Sequence, residues 1–135
     1  MTDIYQTIES ALDYTLSNIT DIPIIVFENG DLVVSSTDTY LEPVFSPTIR
    51  KPAVRGVNPQ QYYQGLYRVE VNTPKGIGRG PANLIASKII TAFEATTDIS
   101  YGGKIISIRY VEKETGAEND ASWNLPVNIG WYIYD

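Results

Sequence analysis

Apolar residues recur every three or four positions in two stretches of the chain, and each stretch predicts an amphipathic helix. The first helix is expected over residues 3–19, where Thr2 or Asp3 can cap the first turn. The second is expected over residues 81–95, with Pro81 at its first position. The apolar stripes comprise Ile4, Ile8, Leu12, Leu16 and Ile19 in the first helix, and Leu84, Ile85, Ile89, Ala92 and Phe93 in the second.

Alternation of apolar and polar residues predicts strands elsewhere in the chain. They are expected at residues 24–27, 40–49, 62–72, 106–110 and 123–133. In the second of these, Leu41, Pro43, Phe45, Pro47 and Ile49 are expected on one face. In the fourth, Ile106, Ile108 and Tyr110 are expected to alternate along the strand. The last strand has the longest uninterrupted pattern, but Pro126 predicts that its regular part begins at Val127.

The segments between these elements read as connections. A polar loop is expected over residues 31–39, a long mobile hairpin loop over 50–61, a glycine-rich turn over 73–80 and a charged turn over 112–120. The order of elements predicts an α+β fold in two layers. It comprises a mostly antiparallel sheet of four to five strands, with two amphipathic helices on one face. We expect one domain over residues 1–135.

The amino-acid composition excludes several kinds of functional site. The chain has no cysteine and no histidine, which excludes thiol nucleophiles, disulfides, Cys/His zinc sites and imidazole bases. We expect no membrane helix and no signal peptide, because no apolar run approaches the roughly 20 residues that a span requires. The net charge of −6 argues against a surface built to hold nucleic acid.

Charge is unevenly distributed along the chain. Residues 1–49 carry a net charge of −8, residues 50–88 a net charge of +6, and residues 89–135 a net charge of −4. Chance and loop composition could produce this pattern. Alternatively, a basic face on one copy meets an acidic face on another, as in a ring of identical subunits.

Two features could carry binding chemistry. The loop from Gly76 to Gly80, with Lys75 and Arg79, could bind a phosphate, although a tight strand-to-helix turn explains the glycines equally directly. Neither loop motif of nucleotide-binding proteins is present, and the carboxylates fall on predicted surface positions. We therefore expect no catalytic residue, no metal and no cofactor.

A second candidate is an aromatic platform beside basic residues. It would consist of Tyr62, Tyr63, Tyr132 and Tyr134 near Arg50, Lys51 and Arg55. Aromatic rings on a sheet can stack on nucleic-acid bases, but tyrosine and tryptophan are equally favoured in protein–protein interfaces. Because the chain is acidic, the interface interpretation is preferred.

Several segments together resemble a known family. They are IVFEN at 25–29, YLEPVFSP at 40–47, GLYRVEV at 65–71 and PKGIGRGPA at 74–82, of which the last two together form the most specific run. The sequence resembles the tail-terminator proteins of long-tailed bacteriophages over roughly residues 3–134. The resemblance implies a fold similar to that of tail-tube and head–tail joining proteins. It also implies a protein without cofactor or catalytic residues.

The resemblance further implies a virion protein at the head-proximal end of the tail, assembled in the host cytoplasm. It would form a hexameric ring that caps the tail tube, ends its polymerisation and contacts the head–tail connector, while genomic DNA passes through the lumen without specific binding. The hairpin at 50–61 would order against a neighbour. Alternatives are another tube or connector subunit, or a small anion- or oligonucleotide-binding module. The predicted interface residues are Arg50, Lys51, Arg55, Lys75, Arg79, Tyr62 and Tyr63.

Overall fold

The computed structural model describes residues 3–27, 38–52, 60–95, 97–118 and 122–135. Within these ranges the chain forms two helices and seven strands, which confirms the α+β class. In chain order they are α1 (Ile4–Ser17), β1 (Ile24–Ile25), β2 (Tyr40–Pro52), β3 (Gln61–Thr73), α2 (Gly80–Ala95), β4 (Asp98–Tyr101), β5 (Lys104–Lys113), β6 (Ala117–Glu118) and β7 (Trp123–Tyr134).

The strands form one mixed sheet in the order β1-β2-β3-β7-β5-β4, with β6 also paired to β7. β1 runs parallel to β2, and every other described pair is antiparallel. The prediction of four to five strands is therefore too low. The missed strands, β4 and β6, have four and two residues, which is too short for alternation to be recognised against their polar surroundings.

Both helices pack against the same face of the sheet. Tyr67 in β3 shows this directly, because its hydroxyl donates to Asp13 of α1 while its ring lies 6.3 Å from that of Phe93 in α2. Strand residues on this face, such as Val69 and Ile129, are fully buried in the same apolar cluster as the helices. The two-layer arrangement follows from one apolar surface shared by all three elements.

The centre of the core depends on a close approach between strands. A Cβ atom at Gly65 of β3 would lie 2.4 Å from the Trp131 ring and 2.7 Å from the Ser46 carbonyl oxygen. Without that atom, Trp131 of β7 fits over Gly65 and stacks on Phe45, with ring centroids 5.3 Å apart. Only glycine therefore leaves room for the largest side chain of the core.

Pro126 does not delay β7. The strand is continuous from Trp123, and Pro126 lies opposite Glu70 of β3. Its carbonyl accepts a hydrogen bond from the Glu114 N–H, so its ring nitrogen faces the same side, where pairing passes from β5 to β6. The prediction that the regular strand starts at Val127 is wrong. The N–H that Pro126 lacks would point to the gap between β5 and β6, the two strands that pair with this side of β7.

Two irregularities reassign residues between the faces of the sheet. Register shifts at Thr48 in β2 and at Arg109 in β5 each insert one residue into a strand. As a result, Ile49 leaves the face that Leu41 and Phe45 share, and Tyr110 leaves the face of Ile106 and Ile108. The predictions that Ile49 shares a face with Leu41 and Phe45, and that Tyr110 shares a face with Ile106 and Ile108, are therefore wrong.

Other predicted boundaries also shift. Residues 50–52 and 61 belong to β2 and β3, so the long loop is shorter than expected at both ends, and residues 53–59 lie outside the described ranges. Leu84 was expected in the buried stripe of α2 but is 61% exposed, whereas Ala82 and Ala86 are buried. Asp3 occupies the N-cap of α1 without a side-chain cap bond. In the described parts of the chain, neither helix is long and apolar enough to cross a membrane.

Candidate interaction surfaces

The face of the sheet opposite the helices carries the main concentration of polar and aromatic side chains. We call it the open face. In β3 it contains the even-numbered residues from Tyr62 to Asn72, which lie opposite the even-numbered residues of β7. The register with β2 and β5 adds Lys51 and Tyr110 to the same face.

One end of the open face, which we call the basic end, forms a recess of about 480 Å³. Its described lining residues are Lys51, Pro52, Tyr62, Gln64, Arg109 and Tyr134. The Gln64 side-chain oxygen accepts hydrogen bonds of 2.7 Å from both the Tyr62 hydroxyl and an Arg109 N–H. These bonds hold three side chains of the recess in place: Gln64 and Tyr62, and the guanidinium of Arg109.

Aromatic rings and unpaired cations give the basic end its chemical character. The Tyr62 ring lies 5.0 Å from Tyr134 and 6.3 Å from Tyr132, and the Lys51 ammonium lies 5.6 Å from the centre of the Tyr62 ring. Among the residues that the structure describes, neither Lys51 nor Arg109 forms an ion pair with a carboxylate. The recess therefore offers N–H donors suited to an anionic group.

The other end of the open face, the acidic end, carries Glu42, Glu70, Glu112 and Glu114 around Arg68. Glu42 and Glu70 lie directly opposite each other on neighbouring strands, and Arg68 contacts both Glu70 and Glu114. Asn128 also donates a 2.6 Å hydrogen bond to Glu114. Burial, followed by the charges of Glu42, Glu70 and Asp38, raises the pKa of the adjacent Tyr40. These carboxylates lie on different strands, and the described residues contain no group of three or more acids placed to hold a metal ion.

The glycine-rich turn forms a second surface, at the start of α2. Gly76 and Gly78 have φ angles of +83° and +84°, which confirms that this turn uses the left-handed conformation. The Arg79 guanidinium lies 5.3 Å from the centre of the Trp123 ring. A groove of about 270 Å³ runs beside the turn, and its lining includes Lys75 and Glu118, so an anion bound there would face a carboxylate as well as the cations.

The structure separates the predicted interface residues into two groups. Lys51 and Tyr62 meet at the basic end. Lys75 and Arg79 lie beyond the opposite end of β3, and the eleven residues of strand that follow Tyr62 span about 36 Å. Arg50 lies on the helix side of β2, 5.8 Å from the Tyr63 ring centre.

The remaining predicted interface residues are Tyr63 and Arg55. Tyr63 is 6% exposed and packs edge-on against Tyr5, so it supports the core instead of joining the platform with Tyr62. Arg55 lies outside the described residues.

Arg109 is the functional candidate that the sequence pattern missed. Simple alternation places it opposite to Ile108 and Tyr110, without indicating that it reaches β3. The inserted position in β5 brings its guanidinium to Gln64, two strands away. A charged residue at a polar position of the alternation was the available signal, but such a residue more often marks an ordinary solvated position.

Comparisons with known proteins agree with this architecture. None of the curated protein sequences matches the chain. One solved structure superposes with a TM-score of 0.70 at 21% identity, covering 98% of this chain and 93% of the other, which shows a shared fold. The family described as phage tail terminator protein matches residues 3–131, nearly the whole chain, as the glycine-rich turn and its flanking strands suggested. The chain therefore belongs to the phage tail terminator protein family and has a structural role in the phage tail.

Proposed function

We propose that this protein forms a hexameric ring on the head-proximal end of the phage tail tube. There it ends polymerisation of the tube and contacts the head–tail connector. The observation that carries the proposal is the family match over residues 3–131, which leaves almost no part of the chain for another activity. Assembly takes place in the host cytoplasm before the tail joins the capsid.

The distribution of exposed side chains supports a function based on contacts. Large apolar side chains remain exposed on both layers: Tyr14 and Leu84 on the helices, and Ile105 and Tyr134 on the sheet. Single exposed apolar side chains are common on any protein, but the neighbouring rings of Tyr62, Tyr132 and Tyr134 form an aromatic cluster of the kind enriched in protein interfaces. We infer that the protein works through these surfaces, with no reactive group and no cofactor.

A closed ring requires that two different surfaces of each subunit meet in every contact. The basic end and the acidic end lie toward opposite ends of β3, which suits subunits with separate neighbours on separate sides. The connection between Pro52 and Gln61 follows residues of the basic end, and we expect it to contact a neighbour or the tube. Genomic DNA passes through the lumen without specific binding, consistent with the net charge of −6.

Electron microscopy tests the proposal directly. The purified protein, examined alone and after mixing with polymerising tail-tube protein, should give six-fold rings and tubes capped at one end. Tube length should also stop increasing after the protein is added. A protein that co-polymerises along the tube would instead be a tube subunit, and one that binds only the portal-side complex would be a connector subunit.

The basic end supports one alternative function, binding of an oligonucleotide or another anion. Lys51 and Arg109, which form no ion pair within the described ranges, lie beside tyrosine rings, a combination that resembles the sites that bind single strands. Fluorescence polarisation with a labelled single-stranded oligonucleotide distinguishes the functions, because phosphate contacts give a steep salt dependence. For the terminator we expect the wild type to bind no more oligonucleotide than Lys51→Gln with Arg109→Gln, a variant that lacks both cations of the recess.

A further inference from the structure

The two ends of the open face have opposite charge and do not neutralise each other. Gln64 at the basic end and Glu70 at the acidic end are six residues apart on β3, or about 20 Å. Charges in physiological salt are screened beyond about 8 Å. Each end therefore keeps its own electrostatic potential and is available to a separate partner.

The basic end can bind carboxylates. Lys51 and Arg109 face its recess without a carboxylate partner among the described residues, and Gln64 presents its amide from the floor. At the edge of the sheet nearby, the Asp98 carboxylate accepts a 2.8 Å hydrogen bond from Ser107, so it is engaged within its own strand pair. The recess is wide enough for more than one carboxylate side chain.

The acidic end can bind cations. Glu42 and Glu70 lie directly opposite each other on β2 and β3, and Asn72 donates a 3.4 Å hydrogen bond to Glu42. Arg68 compensates Glu70 and Glu114 in part, while Glu112 is exposed on the same face. A cation supplied from outside would stabilise this end.

We propose that the basic end of one copy binds the acidic end of the next copy, through Lys51 and Arg109 on one side and Glu70 and Glu112 on the other. This inference rests on the proposed ring and identifies the surfaces that hold it together. The contact is heterologous, so each subunit uses each of its ends once, and six copies form a ring when the rotation between neighbours is one sixth of a full turn.

A second copy fits the open face better than nucleic acid does. A nucleic acid lying along the whole face would meet Glu42, Glu70 and Glu112 within about 20 Å of the basic end. In the ring, one neighbour brings its acidic end to the basic end, and the other neighbour brings its basic end to the acidic end. The same surface also carries the exposed rings of Tyr110 and Tyr134, which can add apolar contact area.

The test uses two variants of the full chain, each neutral at one end. Lys51→Gln with Arg109→Gln removes the basic end, and Glu70→Gln with Glu112→Gln removes the acidic end, while the amides retain hydrogen-bonding capacity. Sedimentation velocity in low salt should show wild-type rings. Each variant alone should associate roughly a hundredfold more weakly, about tenfold for each charge removed.

Mixing the variants is the decisive measurement. An equimolar mixture contains one intact pair of ends, so it should form a two-subunit complex and stop there. Lys88→Gln and Glu94→Gln, both on α2, are matched controls and should assemble like the wild type. Thermal unfolding of every variant establishes that the fold is retained.

The remaining outcomes overturn the inference in distinguishable ways. Wild-type rings together with variants that assemble normally would leave the ring intact and refute these surfaces. Monomeric variants whose mixture stays monomeric would refute the pairing of the two ends. A wild-type protein that is monomeric at every concentration, including with tube protein, would refute the proposed ring itself. Unaltered assembly with lost oligonucleotide binding in the basic-end variant would assign the recess to nucleic acid.

Discussion

The most restrictive single position in the core is Gly65, where an added methyl group meets a ring and two backbone atoms. Gly65→Ala should lower the free energy of unfolding by about 1–3 kcal/mol, because Trp131 and β2 must both move. Gly80→Ala is the matched control, since a Cβ there has nothing within 4 Å. Urea denaturation compares the two, and equal stabilities would contradict the packing described for Trp131.

Tyr67 carries a pH dependence. Burial, reinforced by the Asp13 carboxylate, raises the pKa of Tyr67 far above its usual value near 10. Above about pH 10 the unfolded chain loses this proton while the folded chain keeps it. The contribution of Tyr67 to stability is therefore complete below that pH and declines above it, by about 1.4 kcal/mol per pH unit.

Tyr67→Phe tests this linkage. At neutral pH the variant should be less stable by about 1 kcal/mol, because it lacks the hydrogen bond to Asp13. The difference from the wild type should shrink above pH 10, since the variant has no proton to lose there. Urea titrations from pH 8 to 11 measure this change, with Tyr132→Phe on the open face as control. A constant difference would show that the hydroxyl is not buried as described.

At the scale of an element, only part of the predicted apolar stripe of α2 faces the core. Ile89 is fully buried and Leu84 is 61% exposed, although both belong to the apolar pattern. Ile89→Ala should cost about 2–5 kcal/mol, whereas Leu84→Ala should change stability by about 0.5 kcal/mol or less. Thermal unfolding of the two variants provides the measurement. Similar losses would mean that Leu84 is packed in the folded protomer.

The sequence predicts elements well where one apolar period persists. It locates both helices, the long strands β2, β3 and β7, and their shared face, because each buries a continuous stripe. It misses the inserted residues at Thr48 and Arg109, since pairing partners, and not local pattern, decide where a strand bulges. The basic end is therefore only half predictable: Lys51 and Tyr62 follow from the sequence, but Arg109 does not.

At the scale of the whole molecule, charged loops should matter for assembly more than for folding. Lys75→Glu with Arg79→Glu reverses two exposed charges on the glycine-rich turn. We expect weaker ring formation with little change in melting temperature, because the stabilisation lost is the contact of Arg79 with Trp123, about 0.5–1 kcal/mol. Light scattering and thermal unfolding measure the two effects. Loss of the cooperative transition would show that the turn is part of the folding core.

The insertion at Arg109 has a consequence for how such a surface evolves. Deleting that one residue would remove the bulge and leave Ile108 opposite Trp131 and Tyr110 opposite Gly130, so Tyr110 would stay on the open face and Val111 on the core face. The Tyr110 ring would still cover Gly130, whereas the guanidinium beside Gln64 would be lost. The loss of one position would thus remove a cation from the binding surface without moving the interior. Divergence at this strand can consequently add or remove that cation while the core packing is kept.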